Sequence, residues 1–251
     1  MKRFYWLFSC LFFISLPSVP SVYAISCAKQ VIQNPHETEW SSKQEPLLIA
    51  ANPSHQSDTY AQAEALFKEK KYDNVIRLLL GPAQAEPLSF KLNILLAKAQ
   101  VEKCAILKAK GDKSYKALLC QPYQIGQRFH KLDKSLPEPY YIVAKSLLIK
   151  NSIYKAIRTI KKALYFSPNN ADYLLVMADA CGAYAQDLIF LSSSYTPQEK
   201  VLQLDSESGK VKKFFSLAIY NYKKAIEIKK DDEEFKASVE KKIKEISEKM
   251  K

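Results

Sequence analysis

Apolar residues recur every three or four positions from Ser57 to the end of this chain, and no alternating strand pattern persists. The clearest stretch runs from Glu138 to Asn170. Tyr140, Val143, Ala144 and Leu147 form one stripe at helical spacing. After a polar break at Lys150-Asn151, Ile153, Ala156, Ile157, Ile160, Ala163 and Leu164 form a second. Ser167-Pro168-Asn169-Asn170 then closes the unit. Two antiparallel helices joined by so short a turn bury their stripes on each other and on the next pair. Ala144 and Ala156 fall where the two backbones approach most closely. Ala163 lets the second helix meet the following unit, and Pro168 stops it.

Those small residues resemble the signature of the tetratricopeptide repeat, a helix pair of about 34 residues. Counted from Pro137, Ala144, Ala156, Ala163 and Pro168 fall at the family's three small positions and its closing proline. The neighbouring segments match more loosely. Between Ser57 and Leu80, Ala63, Leu66, Tyr72, Val75 and Ile76 follow most of a repeat, and Gly81-Pro82 is expected to cut its second helix short. A further pair draws on Leu88 to Ala109, with Leu96 and Ala97 near the tight contact, and on Pro122 to Leu132 through Ile125 and Phe129. Its two halves lie more than twice as far apart as the repeat allows. Another opens with Leu174, Met177, Ala178 and Cys181 and resumes, after an insertion, in Phe215, Ala218, Ile219, Tyr222, Ala225 and Ile226. Phe235, Val239, Ile243, Ile246 and Met250 stripe a last charged helix. Asp231 and Asp232 stand at its start, where negative charge suits the helix dipole, and it reads as a solubilising cap. The expected fold is all-α, an α-solenoid of about three degenerate tetratricopeptide-like helix pairs with extended helices and a C-terminal capping helix, over residues 57–251.

The N-terminus changes the destination rather than the fold. Lys2 and Arg3 precede an apolar run, Phe4 to Leu16, too short to span a bilayer. Pro17, Pro20, Val22, Tyr23 and Ala24 follow, so residues 1–24 read as a secretory signal peptide. No later stretch is expected to reach the roughly 20 apolar residues of a membrane helix. Residues 25–56, broken by Asn34-Pro35, Glu45-Pro46 and Asn52-Pro53, read as an irregular arm or tether, with Leu47, Leu48 and Ile49 able to dock on the body. Cleavage after Ala24 is preferred. Lipidation at Cys27 is the alternative, although Ala24-Ile25-Ser26 lacks the Leu of a usual lipobox and the apolar run ends well before it. The chain is thus expected to be exported, periplasmic or outer-membrane associated, with secretion the alternative.

Formal net charge is +12. Beyond the signal the excess is almost wholly lysine, since Arg77, Arg128 and Arg158 are the remaining arginines. Base and phosphate readout favours arginine's planar fork, so no specific nucleic-acid partner is expected. A solvated lysine-rich surface is the simpler reading. Membrane contact is expected only through lipidation at Cys27 or weak attraction to anionic lipid.

Cys27, Cys104, Cys120 and Cys181 fit no zinc spacing and allow three disulfide pairings. Cys104 and Cys120 flank a helix-loop-helix turn and form the candidate bridge, whereas Cys181 sits on an apolar face as a small buried side chain. His36, His55 and His130 stand in no catalytic motif, and no phosphate-binding glycine loop or calcium loop occurs. Asp231-Asp232-Glu233-Glu234 points in different directions around a helix and caps it rather than holding metal. The reading is therefore non-enzymatic, without cofactor or metal.

The resemblance implies that the first helix of each pair lines a concave surface gripping another protein or a peptide. Its inward positions map to Tyr60, Glu64, Lys91, Lys98, Glu102, Tyr141, Lys145, Leu148, Leu175 and Asp179. An exported protein–protein interaction scaffold in a bacterial envelope is the expected function. The long helix Ala171 to Leu191, the Ser192-Ser193-Ser194 break and the lysine-rich helix after it are also similar in layout to periplasmic repeat lipoproteins that assist TRAP-type transporters. That likeness implies, as the alternative, an accessory component binding a small ligand with a partner protein.

Overall fold

Runs rich in leucine, alanine and lysine with few glycines favour helix at nearly every turn, and no strand occurs among the described residues. The helices of this computed structural model are α1 (Pro53–Lys68), α2 (Tyr72–Ala85), α3 (Phe90–Ala109), the single turn α4 (Tyr115–Leu118), α5 (Cys120–Leu132), α6 (Pro137–Ile149), α7 (Ile153–Phe166), α8 (Ala171–Ser193), α9 (Pro197–Ile228) and α10 (Glu233–Lys249). The structure describes residues 53–193 and 197–250, with side chains for 58–192 and 208–250. The expected signal peptide, nearly all of the expected arm and Cys27 lie outside them. All described residues belong to one unit, Leu48–Lys251.

Antiparallel hairpins form between α1 and α2, α3 and α5, α6 and α7, and α8 and α9, and α10 covers α9. The first helices also touch in succession, α1 on α3, α3 on α6, α6 on α8. Each second helix packs on its own partner and on the next first helix. This is the expected array of helix pairs with a terminal cap, and it holds four hairpins because the first pair is whole. Pro82 does not end α2, contrary to expectation: the helix runs on to Ala85. A proline this late removes one ladder bond, and Ala83, 5% exposed, is buried by continuing. The Glu86 N–H returns to the Pro82 carbonyl at 3.0 Å.

Three first helices end alike. Lys70, Gly111 and Asn151 follow α1, α3 and α6 with φ of 61°, 75° and 58°. The next N–H of each turns back to Leu66, Leu107 and Leu147 carbonyls at 3.0, 3.0 and 2.8 Å, the six-to-one bond that satisfies an orphan carbonyl. Two of these turns are tied together, since Lys108 Nζ donates to the Ile149 carbonyl at 2.7 Å and to Asn151 Oδ1 at 2.6 Å. The inserted segments lengthen helices: α3 has 20 residues and α9 has 32.

Ala144, Ala156 and Ala163 are fully buried at helix contacts, as the repeat requires. α8 departs from the reading of the chain as free of further membrane-length segments. By length and composition alone Ala171–Ser192, of mean hydropathy 1.4, could cross a bilayer, yet half of it is buried in this unit, against α7 and α9. The α10 cap forms as expected: Asp232 Oδ1 accepts from the Phe235 N–H at 2.9 Å, and Val239 and Ile246 are buried.

The expected Cys104–Cys120 bridge is not formed. Cys104 is a free, fully buried thiol on α3, and its Sγ faces the Tyr115 carbonyl of α4 at 3.6 Å. The Cys120 sulfur, at the start of α5, accepts from Gln124 Nε2 at 3.9 Å. Flanking one turn does not aim two Cβ atoms at each other. Burial pushes the Cys104 thiol up to about 12 and that of Cys181, likewise buried as expected, to about 11.

Candidate functional site

Because the first helices touch in succession, polar residues of neighbouring repeats can meet there. Three of the expected binding residues converge there. Glu102 of α3 accepts from the Tyr141 hydroxyl of α6 at 3.1 Å and from Lys145 Nζ one turn further along α6. Lys145 also donates to Tyr141 Oη at 3.3 Å and lies 5.6 Å from the centre of that ring. The Tyr173 ring of α8 packs 5.2 Å from Tyr141. Burial, and then the Glu102 charge, hold the Tyr141 phenol well above the ordinary tyrosine range. Tyr72, at the start of α2, is raised by its burial and then by the same carboxylate.

A second cluster repeats the chemistry. Asp179 of α8 accepts from the Tyr222 hydroxyl of α9 and, at 2.7 Å, from Lys242 Nζ of α10. Lys242 sits 5.6 Å from the Tyr222 ring centre. Burial first, and then the charge of Asp179, raise the Tyr222 phenol. A recess of about 220 Å³ beside it is lined by Gln186, Glu245 and Lys249 as well as the three cluster members. Each cluster joins an acid, a tyrosine and a lysine, with the lysine over the ring that donates to the acid.

Exposed ion pairs frame this face. Lys229 of the α9–α10 turn meets Asp172 at 2.9 Å, and Lys70 of the α1–α2 turn meets Glu234 of α10 at 2.8 Å. Both partners of the latter are more than half exposed, so it fixes geometry more than stability.

The remaining expected residues are not gathered. Glu64 and Lys91 are exposed, Lys98 is half-buried, and Tyr60 packs against the α1–α2 core. Leu148 and Leu175 are half-buried against the main core. Tyr72, Tyr173, Asp172, Tyr222, Lys229 and Lys242 join the face without having been expected. Tyr173 and Asp172 had a usable signal, since they open the helix that carries Asp179.

The groups here suit recognition more than proton transfer. The buried tyrosines are held protonated at neutral pH, as are the Cys104 and Cys181 thiols. No group of three or more metal-binding side chains occurs among the described residues. The His130 ring lies 4.5 Å from that of Tyr140, tilted by 53°. Burial, then Lys162 and Lys134, lower its pKa and keep it neutral. A separate recess of about 510 Å³ lies between α2, α3 and α5, outside this face.

No protein-family model matches the chain, and no curated protein matches it. Among solved structures, a thermophilic tetratricopeptide-repeat protein of Thermus thermophilus, TTC0263, is similar at 15% identity and a TM-score of 0.44, over 74% of this chain and 97% of that one. MamA is similar at 15% identity and a TM-score of 0.40, over 74% of this chain and 93% of that one. At such scores these likenesses carry no argument, and the array is assigned from its own hairpins and their small-residue contacts.

Proposed function

We propose that this chain is an exported interaction scaffold of the bacterial envelope, holding an extended or helical segment of a partner protein on its first-helix face. The observation that carries the reading is the pair of acid–tyrosine–lysine clusters on that face, built from α3, α6, α8, α9 and α10. Their side chains are tied to one another by hydrogen bonds without any partner, which lowers the entropic cost of binding. Each acid also keeps unused acceptor capacity and each lysine unused donors. The lysine and carboxylate heads, held over buried tyrosines, suit a segment with polar groups of both signs. Export rests on Lys2, Arg3 and the apolar run to Leu16. No feature among the described residues favours the transporter-accessory alternative.

Site-specific photo-cross-linking in the envelope of the source cell tests this. A benzophenone side chain is placed at Glu64 or Lys98 on the first-helix side, and at Lys155 on α7. One discrete protein adduct from the first-helix sites, absent from Lys155 and lost in Tyr141→Ala/Lys145→Ala, is expected. Adducts confined to Lys155, or unchanged by the double substitution, would overturn the reading.

A further inference from the structure

Among the described residues, the cations of the three later second helices are in no ion pair. Arg128 and Lys131 stand on α5 and Lys155, Arg158, Lys161 and Lys162 on α7, both helices without an acid, whereas the five lysines between Ser208 and Ile228 of α9 share their helix with Glu199, Asp205, Glu207 and Glu227. None of the seven ion pairs among the described residues uses any of these eleven cations. The pairs lie instead on the first helices, the first turn of α2, the turns and α10.

The middle helix is the most ordered of the three. On α7, Tyr154, Arg158, Lys161 and Tyr165 are spaced by four, three and four residues, one row along a helix. All four face solvent, with Tyr154 60% and Tyr165 82% exposed. Phe166 beside the row is 42% exposed. Two aromatic side chains therefore bracket two cations over about 16 Å of helix axis. Tyr220 on the lysine-bearing α9 is 60% exposed, and Leu132 at the end of α5 is 63% exposed.

We propose that this second-helix face docks on an anionic lipid surface, independently of what the first-helix face holds. Lysines dominate, and a lysine is a hydrated point charge without the fork that reads a fixed phosphate or carboxylate geometry. Many such charges in rows suit a fluid layer of phosphate headgroups, whose potential acts on all of them at once. Exposed tyrosines at both ends of the row suit the headgroup boundary, where a ring is half in hydrocarbon and its hydroxyl stays wet. The two faces then divide the work: one meets the membrane while the other stays open to a partner.

The test is co-sedimentation of the purified full chain with vesicles of phosphatidylcholine alone, or with about one third phosphatidylglycerol. Two variants of equal charge are compared: K155Q/R158Q/K161Q/K162Q on α7, and K230Q/K241Q/K244Q/K249Q at exposed sites after α9 and on α10. All eight side chains are exposed, so both variants are expected to retain the helical circular dichroism of the parent. Binding is expected on the anionic vesicles only, and is expected to fall in about 1 M salt, where the screening length shrinks to about 3 Å. Each headgroup-facing charge is worth about a factor of five, so the α7 variant should lose at least about one hundredfold while its counterpart loses a few-fold. Tyr165→Ser should weaken what binding remains at high salt. Equal losses in the two variants would reduce the effect to overall basicity and overturn the located face. Binding that neither salt nor the α7 variant changes would assign attachment to the apolar N-terminus instead. Binding to heparin without binding to anionic vesicles would assign the face to an acidic polymer. Either result overturns the proposal.

Discussion

Gly126 tests the contact that sets α5 against α6, and hence the placement of Tyr141 and Lys145. A Cβ built there would lie 2.8 Å from Val143 Cγ2, 3.1 Å from the Pro139 carbonyl oxygen and 3.3 Å from Ile142 Cγ2. The methyl contact is about 1 Å inside ordinary carbon separation. Val143 cannot swing away, because a β-branched residue in a helix has essentially one rotamer and it is 4% exposed. The carbonyl belongs to the first turn of α6 and cannot yield either. In Gly126→Ala the whole of α5 must therefore shift, at an overpacking cost of about 1–3 kcal/mol. Against this stands a gain of about 1 kcal/mol from replacing glycine inside a helix.

Two other glycines calibrate that gain. Gly209 in α9 has nothing within 4 Å of its Cβ position, and Gly182 in α8 meets the far end of Ile246 at 3.3 Å. Gly209→Ala should stabilise by about 0.5–1 kcal/mol, Gly182→Ala should be near neutral, and Gly126→Ala should destabilise by about 1 kcal/mol net. The extremes then differ by about 2 kcal/mol, which for a domain this size separates their Tm values by about 4–8 °C. Thermal and urea unfolding followed by circular dichroism read the order directly. A Gly126→Ala protein as stable as Gly209→Ala would show that α5 and α6 do not meet here, and would remove the basis for placing Tyr141 and Lys145 on a shared face.

Further outcomes concern the clusters and the thiols. In a double-mutant cycle of Glu102→Gln and Lys145→Met, both side chains being less than a quarter exposed, the coupling should be about 1–2 kcal/mol by urea denaturation; zero coupling would mean the pair is not formed in solution. Tyr141, Tyr173 and Tyr222 are all raised by burial first and by nearby carboxylates after it. Above the unfolded tyrosine value of about 10 the native state thus holds more protons than the unfolded state, and stability should be full below that pH and fall as pH rises past it. Phenolate absorbance of these three should therefore appear together with unfolding, and early titration of all tyrosines in native protein would refute their burial. Cys104, pushed up to about 12, should resist iodoacetamide at pH 8 in the native protein and label fully after denaturation without reductant, whereas a residue found in a disulfide would restore the bridge.

What the sequence makes legible depends on whether the controlling physics is local. The hairpin from Glu138 to Asn170 is readable because helix period, turn chemistry and small contact residues all coincide within one repeat length. Pro82 defeats the local rule because burial of Ala83 outweighs one lost bond. Cys104 and Cys120 stay apart because sequence proximity does not fix the direction of a side chain. Glu102, Tyr141 and Lys145 can be drawn to one face by the repeat register alone. Tyr222 and Lys242 cannot, since they lie 43 and 63 residues from Asp179, across an insertion whose length no local pattern specifies.

The surface charge shows the same division between what composition reveals and what only packing reveals. A formal +12 permits a diffuse lysine coat over the whole molecule. Instead, some lysines are paired with carboxylates of the first helices and of α10, at Glu102, Asp172, Asp179, Glu233 and Glu234, while Lys91 of α3 and Lys241, Lys244 and Lys249 of α10 stay exposed. Among the described residues, the lysines of the later second helices are in no such pair, and exposed tyrosines lie on α7 and α9. Packing the first helices on one another brings acids and lysines together across successive repeats, while the second helices, each meeting its own partner and the next first helix, leave one flank to solvent. Hairpin stacking thus brings part of the lysine excess against carboxylates of neighbouring repeats and leaves the cations of α7 exposed and without an acid on their own helix.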